Sequence, residues 1–149
     1  DVDASKIVLA GWSHGGWGIM EAMSADRSRP ALGIADPGAV PLDGVLATYL
    51  AYPYVGIAAL NRMRPWRHCP KTLAVIARSD HLTTVRNAER VYEMVRNCGA
   101  EVETWVADGT HSFDEPMTAP PMRYHPALAD EAVRRFAALL EDTAAAPGL

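Results

Sequence analysis

The sequence predicts an α/β protein, a three-layer α/β/α sandwich built on a parallel sheet of about four strands. Short apolar runs alternate along the chain with segments whose apolar residues recur every three or four positions, in the order strand, helix, strand, helix. The runs at residues 7–10 and 73–77 are almost continuously apolar, which is typical of parallel strands covered on both faces and flanked on both edges. We therefore expect right-handed crossover connections, with helices on both faces of the sheet.

The elements can be assigned in order along the chain. Gly99 is placed to end the helix before it by adopting a left-handed conformation. We expect a loop rich in proline and glycine at residues 27–41 and a frayed tail at 143–149. The predicted strands are 7–10, 45–49, 73–77 and 102–106, the last alternating like an edge strand, and the predicted helices are 16–24, 84–98 and 127–141, with a short one around 57–61.

The composition favours a single globular domain without nucleic acid or membrane partners. The chain has 149 residues, of which 49% are hydrophobic, and a formal net charge of −4. Its basic residues are scattered, and the acidic balance would repel a phosphate backbone. The sequence contains no 18-residue apolar run, and its first residues do not have the charged-then-apolar pattern of a leader. Because Cys69 and Cys98 are too few for a disulfide scaffold, we expect a cytoplasmic protein in which both are small buried apolar residues.

The stretch Gly11-Trp12-Ser13-His14-Gly15-Gly16 lies between the first strand and the first helix. A serine at such a junction, with glycines on both sides, is typical of a nucleophile elbow, in which the serine has a strained backbone. We expect Gly11, Gly15 and Gly16 to let the strand and the helix pass without Cβ collisions. The alternative is a glycine-rich turn that holds an incidental serine.

Three residues with complementary chemistry follow strands of the predicted sheet. Parallel strands end at one edge, so the topology brings Ser13, Asp80 and His111 to the same rim. A serine hydroxyl needs a base, which we assign to His111, and the resulting imidazolium needs a fixed negative partner, which we assign to Asp80. The backbone N–H of His14 is the predicted oxyanion donor. Three other aspartates are not expected to be the partner of His111. Asp36 and Asp43 precede a strand instead of following one, so they lie at the wrong edge of the sheet, and Asp108 is too close to His111 in sequence to orient it from a separate strand.

With these residues, the chain resembles the C-terminal half of an α/β-hydrolase, and most of all the dienelactone hydrolase family, over residues 6–140. The founding members carry Cys where this chain has Ser13, so the resemblance is to the serine-bearing branch. The family also has a basic residue soon after the His-x-Phe run, where Asp114 and Glu115 stand here, which argues against a dienelactone substrate. Beyond the triad, the resemblance rests on Tyr52-Pro53-Tyr54, His111-Ser112-Phe113-Asp114 and the helix ending Phe136-Ala137-Ala138-Leu139-Leu140.

The resemblance implies a serine hydrolase that cleaves carboxylic esters or lactones through an acyl-enzyme, with no cofactor and no metal. Trp12, Tyr52, Tyr54 and Phe113 are candidate pocket residues, although aromatic side chains there could equally pack their segments onto the core. In the family, about four strands precede the elbow strand, and a loop among them supplies the second oxyanion donor. We therefore expect the chain to lack the N-terminal half of its domain, to show little esterase activity alone, and to self-associate through the edge of its first strand.

Two other functions stay open. A prolyl-oligopeptidase-like peptidase is one, because its elbow also often reads Gly-Trp-Ser-x-Gly-Gly. A binding module that keeps the fold without catalysis is the other, although the intact triad argues against it. A metal site is not expected, since His68, His81 and His125 lie at no ligand spacing and are interpreted as surface or loop residues.

Overall fold

The four predicted strands form one parallel sheet in the order in which they occur along the chain. The computed structural model describes residues 3–25, 42–57 and 59–145, so the predicted loop at 27–41 and Asp36 lie outside the described residues. This topology confirms the predicted fold class. The strands are β1 (Ile7–Trp12), β2 (Val45–Ala51), β3 (Lys71–Ser79) and β4 (Val102–Thr110), and the helices are α1 (His14–Ser24), α2 (Val85–Asn97) and α3 (Pro126–Ala145).

The helices make the outer two layers of the predicted sandwich. Helices α1 and α2 bury Met20, Met23 and Val95 against one face of the sheet, where they meet Ile76 of β3. Helix α3 covers the opposite face, and its buried residues there belong to a cluster with Tyr49, Val75 and Phe113. Both helical layers therefore cover the central strands β2 and β3, whose side chains are mostly buried.

The elements extend further than the apolar runs that predict them. Strand β4 continues through Asp108 to Thr110, because its backbone still pairs with β3 there, Ser79 opposite Thr110. Helix α3 runs to Ala145, so the tail predicted to fray from residue 143 is helical to that point, with Thr143 buried. The short helix predicted around 57–61 is a 3₁₀ turn at Leu60–Arg62.

The end of α2 agrees with the prediction from the sequence, whereas the buried side of α3 differs from it. Thr84 caps α2 by accepting a hydrogen bond from the Asn87 N–H at 3.3 Å, and Gly99 follows with φ +99°. The spacing of Leu128, Ala132, Phe136, Leu139 and Leu140 predicts one buried stripe along α3, but Leu140 is 41% exposed. Since successive residues of a helix are about 100° apart, Leu139 takes the inward position and turns Leu140 away.

Strand β1 lies at one edge of the sheet and β4 at the other. Within the described residues, β1 is hydrogen-bonded to β2 alone, and its apolar residues Ile7, Val8 and Leu9 are only half-buried. The expectation of neighbours on both sides therefore holds for β3 but not for β1 in the described chain. None of the helices in this part of the chain is both long and apolar enough to cross a bilayer.

Candidate active site

Each strand is followed directly by a residue of one site. Ser13 comes after β1, Tyr52 after β2, Asp80 after β3 and His111 after β4. Because the strands are parallel, these four residues lie at the same carboxyl-terminal edge of the sheet. The structure thus brings together residues that are up to 98 positions apart in the sequence.

Ser13 occupies a strained turn between β1 and α1. Its φ is 49° and its ψ is −113°, a conformation that non-glycine residues rarely adopt. The Ser13 N–H donates to the carbonyl of Ala51 at 2.9 Å, which ties the turn to the end of β2. The Ser13 hydroxyl donates to Nε2 of His111 at 2.8 Å instead of capping α1. The turn therefore presents the hydroxyl at the rim of the sheet.

Two of the three flanking glycines are required by close packing. A Cβ atom on Gly11 would lie 2.6 Å from the Gly16 nitrogen, and one on Gly16 would lie 3.0 Å from the Gly11 carbonyl oxygen. These contacts confirm the predicted close passage of β1 and α1. Gly15 differs from the prediction, because a Cβ atom there would meet no atom of the described structure within 4 Å.

His111 connects Ser13 to Asp80. Its Nδ1 donates to Asp80 Oδ2 at 2.8 Å, which leaves Nε2 to accept from Ser13. The other Asp80 oxygen accepts from the N–H groups of Leu82, at 2.7 Å, and Thr83, at 3.1 Å. The side chains of His111 and Asp80 are only 4% and 2% exposed. This arrangement fixes the imidazole so that it can take a proton from Ser13 beside a shielded negative charge.

A pocket of about 400 Å³ lies beside Ser13, lined by Trp12, Ser13, Tyr52, Ser112, Asp114 and Glu115. Trp12 Nε1 donates to Asp114 Oδ2 at 2.9 Å, and the Tyr52 hydroxyl donates to Oδ1 of the same carboxylate. Burial, followed by the hydrogen bond to Asp114, raises the pKa of Tyr52 above its ordinary value. Tyr52 therefore remains a hydrogen-bond donor at neutral pH.

The sequence matches neither a model of a known protein family nor a curated protein. Solved structures do match it. A dienelactone hydrolase-like promiscuous phosphotriesterase from metagenomic libraries gives a TM-score of 0.67 at 17% identity, over 95% of this chain and 54% of that one. The carboxylesterase Cest-2923 from Lactobacillus plantarum gives 0.61 at 14% identity, over 98% and 62%. Esterase 2 from Thermogutta terrifontis, phosphonylated by sarin, gives 0.61 at 16% identity, over 91% and 56%.

The chain shares its fold with the matching part of these proteins. It spans little more than half the length of these hydrolases, 54% of the first and 56% of the third. At such low identity the likeness establishes the fold of the part that is present, while the chemistry must be argued from the residues of the site.

Thr83 belongs to the candidate site, although the sequence analysis did not identify it. Besides binding Asp80, it is buried, and its hydroxyl accepts from the Val55 N–H at 3.3 Å and donates to the Pro53 carbonyl at 3.4 Å. Thr83 therefore joins the turn after β3 to the segment after β2. In an Asx motif, an Asp side chain accepts hydrogen bonds from backbone N–H groups two or three residues further along the chain. An Asp at the start of a polar turn is the sequence signal of this motif, and it could have identified Thr83 as a partner of Asp80.

The neighbourhood of His14 fits the predicted oxyanion donor. His14 is the first residue of α1, and its exposed ring packs against Trp17 with centroids 4.9 Å apart. First-turn N–H groups have no partner within their own helix and lie at its positive end. His81, one of the other histidines, has its ring 5.7 Å from that of His111. Among the described residues, no cluster of three or more His, Cys, Asp or Glu could hold a metal ion.

The structure separates the four aromatic residues proposed for the pocket. Trp12 and Tyr52 line it. Phe113 is fully buried, with its ring 5.7 Å from that of Tyr52, so it supports the pocket from below instead of contacting its interior. Tyr54 packs against Trp17 at 5.5 Å, away from the pocket lining. The sequence could not separate them because all four lie near strand ends.

Proposed function

We propose that this chain carries the catalytic serine of a hydrolase that cleaves small carboxylic esters or lactones through an acyl-enzyme. One observation supports this most strongly: His111 lies 2.8 Å from both the Ser13 hydroxyl and the Asp80 carboxylate. An aligned hydroxyl, imidazole and carboxylate beside a pocket is the arrangement that acyl transfer requires. The proposed partner is thus a small-molecule substrate, and the proposed compartment is the cytoplasm.

In the proposed reaction, Ser13 Oγ attacks the substrate carbonyl carbon while His111 Nε2 takes the hydroxyl proton. Asp80 stabilises the imidazolium that forms and holds its orientation. The His14 N–H would donate to the oxyanion of the tetrahedral intermediate. When this intermediate collapses, His111 returns the proton to the leaving alcohol. A water molecule activated by His111 then hydrolyses the acyl-enzyme and frees Ser13.

The pocket favours small substrates. A volume of about 400 Å³ is at the lower end of the range of small-molecule sites, and one side of the pocket is aromatic. The names of the structural neighbours, a dienelactone hydrolase-like phosphotriesterase and a carboxylesterase, are consistent with attack on an ester-type centre. A prolyl-oligopeptidase-like peptidase activity would instead require a preference for proline peptides over short esters.

Labelling with a fluorophosphonate tests the proposal directly. We expect one adduct by intact mass spectrometry, mapped to Ser13, and no adduct in Ser13→Ala. Ser112 provides an internal comparison, because it is the other serine of the same pocket. An adduct on Ser112, or no adduct on the folded full-length protein, would contradict the proposal. A panel of p-nitrophenyl esters against proline peptides then distinguishes esterase from peptidase activity.

A further inference from the structure

We infer that Asp114 makes this site prefer esters with a positive charge near the scissile carbonyl and reject esters with a negative charge there. The inference rests on the proposed hydrolase function, since it names the class of substrate that would reach Ser13. Asp114 would act as a specificity-determining residue, not as a member of the proton-transfer chain.

The charges in the pocket have one sign. Of its six lining residues, Asp114 and Glu115 are the charged ones, and both are acidic. Glu115 is exposed at the rim, where its Oε1 accepts from the Met117 N–H at 3.1 Å. The two acidic side chains would therefore repel a substrate carboxylate held beside Ser13. The same two charges would attract an ammonium group.

Asp114 is held in place by both of its oxygens. Trp12 and Tyr52 donate to the two oxygens from the ends of different strands, β1 and β2. Trp12 is itself fixed by packing against Tyr49 at 5.4 Å and Phe136 at 6.5 Å. The carboxylate thus needs no rearrangement to meet a ligand, and such preorganised charges discriminate best.

Aromatic surface beside the carboxylate strengthens the preference. The Trp12 side chain is 42% exposed in the same pocket, and Tyr52 forms another part of the lining. Cations bind aromatic faces, and quaternary ammonium groups do so with little desolvation cost. The field of Asp114 also reaches its neighbours: after burial, its charge is the second cause that raises the pKa of Tyr49. The same negative charge that disfavours ionisation of Tyr49 would stabilise a cation in the pocket.

A matched pair of thioesters isolates the effect of charge. Acetylthiocholine and 3,3-dimethylbutyl thioacetate share the acetyl group and the shape of the leaving thiol and differ in one positive charge. In the active full-length protein, we expect kcat/KM to be about tenfold higher for the cation at low salt and the ratio to fall as salt is added. Asp114→Asn should bring the ratio to within about twofold of one, because it removes the charge and keeps an acceptor oxygen.

Two variants control the kinetic test. Glu115→Gln should lower the ratio less than Asp114→Asn, because Glu115 is exposed and its charge is better screened. Asp108→Asn should leave the ratio unchanged, since Asp108 pairs with Arg78 at 3.4 Å and does not line the pocket. Equal rates for the two thioesters, or a ratio that survives both Asp114→Asn and Glu115→Gln, would overturn the inference. If Asp114→Asn does not fold, Glu115→Gln decides, because Glu115 is exposed and its carboxylate accepts from the Met117 N–H.

A binding measurement separates this inference from the proposed function. Choline and 3,3-dimethylbutan-1-ol can be titrated into Ser13→Ala and followed by NMR, with no turnover required. Tighter binding of choline that weakens in the Ser13→Ala, Asp114→Asn double variant would support the charge preference even if no ester is hydrolysed. Equal affinity for the two ligands would overturn the preference even if Ser13 is labelled by the fluorophosphonate.

Discussion

The rim of the sheet that carries Ser13 differs from the core beneath α1 and α2 in whether its buried polar groups have hydrogen-bond partners. At the rim, buried His111 and Thr83 have hydrogen-bond partners, as does the shielded Asp80 side chain. Beneath α1 and α2, four buried side-chain atoms have none among the described residues. These atoms are Glu21 Oε2, Asn61 Oδ1, Trp66 Nε1 and the Tyr92 hydroxyl oxygen.

Backbone strain follows the same division. The non-glycine residues with positive φ in the described chain are Ser13, Tyr52 and Ser112, and all three line the pocket. Such conformations cost about 1–3 kcal/mol each and persist where surrounding contacts fix them. An unpartnered buried polar atom costs a similar amount, about 1–3 kcal/mol, but brings no positioned group in return. Strain together with complete hydrogen bonding thus distinguishes the proposed site from a region that only packs.

The largest expected effect at the rim is that of Ser13→Ala. In an active full-length parent, removing the attacking oxygen should lower kcat by about 10⁴- to 10⁶-fold, while the melting temperature changes little. Hydrolysis of a p-nitrophenyl ester and a thermal melt would measure the two quantities. More than a tenth of the wild-type rate in the variant would exclude Ser13 as the nucleophile.

Asp80→Asn comes next, with an expected loss of about 10⁴-fold in kcat. The amide can donate to Nδ1 of His111, which would favour the tautomer that cannot accept the Ser13 proton. Asp108→Asn is the matched control, because Asp108 is an exposed carboxylate at the end of β4 and should leave kcat unchanged. Equal kcat values for the two variants would remove Asp80 from its proposed role.

The pH dependence should show one ionisation at the rim. The imidazole of His111 must be unprotonated to act as a base, so kcat/KM should be low in acid and rise to a plateau as the pH increases. Stopped-flow rates between pH 5 and 8, with chemistry shown to limit turnover, would test this. A flat profile would mean that another group accepts the proton.

The free edge of β1 should make the chain self-associate. Its backbone is hydrogen-bonded to β2 alone among the described residues, and unpaired edges accept further strands. A lysine at exposed Ala10 should block this pairing, so Ala10→Lys should be monomeric by light scattering where the wild type is larger. Asp108→Lys on the opposite edge strand is the control. A monomeric wild type at high concentration would contradict the prediction.

The smallest expected effect separates the two regions through two tyrosines. Tyr52→Phe removes a hydrogen bond to Asp114 and should destabilise the fold by about 1 kcal/mol. Tyr92→Phe removes a hydroxyl that has no hydrogen-bond partner among the described residues, and should be neutral or stabilising by about 1 kcal/mol. Urea unfolding of both variants would measure the difference. If Tyr52→Phe lowers the free energy of unfolding and Tyr92→Phe raises it, the hydroxyl of Tyr52 is stabilising and that of Tyr92 is not.

Alkaline pH sharpens this last comparison. Burial raises the pKa of Tyr92, so its ionisation is disfavoured in the folded state. Its contribution to stability is therefore complete below the ordinary tyrosine pKa of about 10 and is lost as the pH rises above that value. Tyr92→Phe should reduce the loss of stability on the alkaline side, and an unchanged pH dependence would argue against this assignment.

The sequence by itself determined the sheet and the positions of Ser13, Asp80 and His111. Apolar runs identify buried strands, and parallel pairing places their ends at one edge, so residues that follow the runs meet without any knowledge of side-chain contacts. The need for glycine at position 11 was also readable, because a strand that turns directly into a helix leaves no room there. Local pattern and topology suffice for such features.

Only the tertiary structure decided how the pocket is walled. Asp114 accepts a hydrogen bond from Trp12, which lies 102 positions away in the sequence. The periodicity of apolar residues does not predict such a contact. Whether an aromatic residue near a strand end lines a pocket, as Tyr52 does, or supports it from below, as Phe113 does, depends on the direction of a single side chain. The open space at Gly15 and the free edge of β1 depend on what packs nearby. These features are set by distances between elements, which the one-dimensional pattern of polar and apolar residues does not contain.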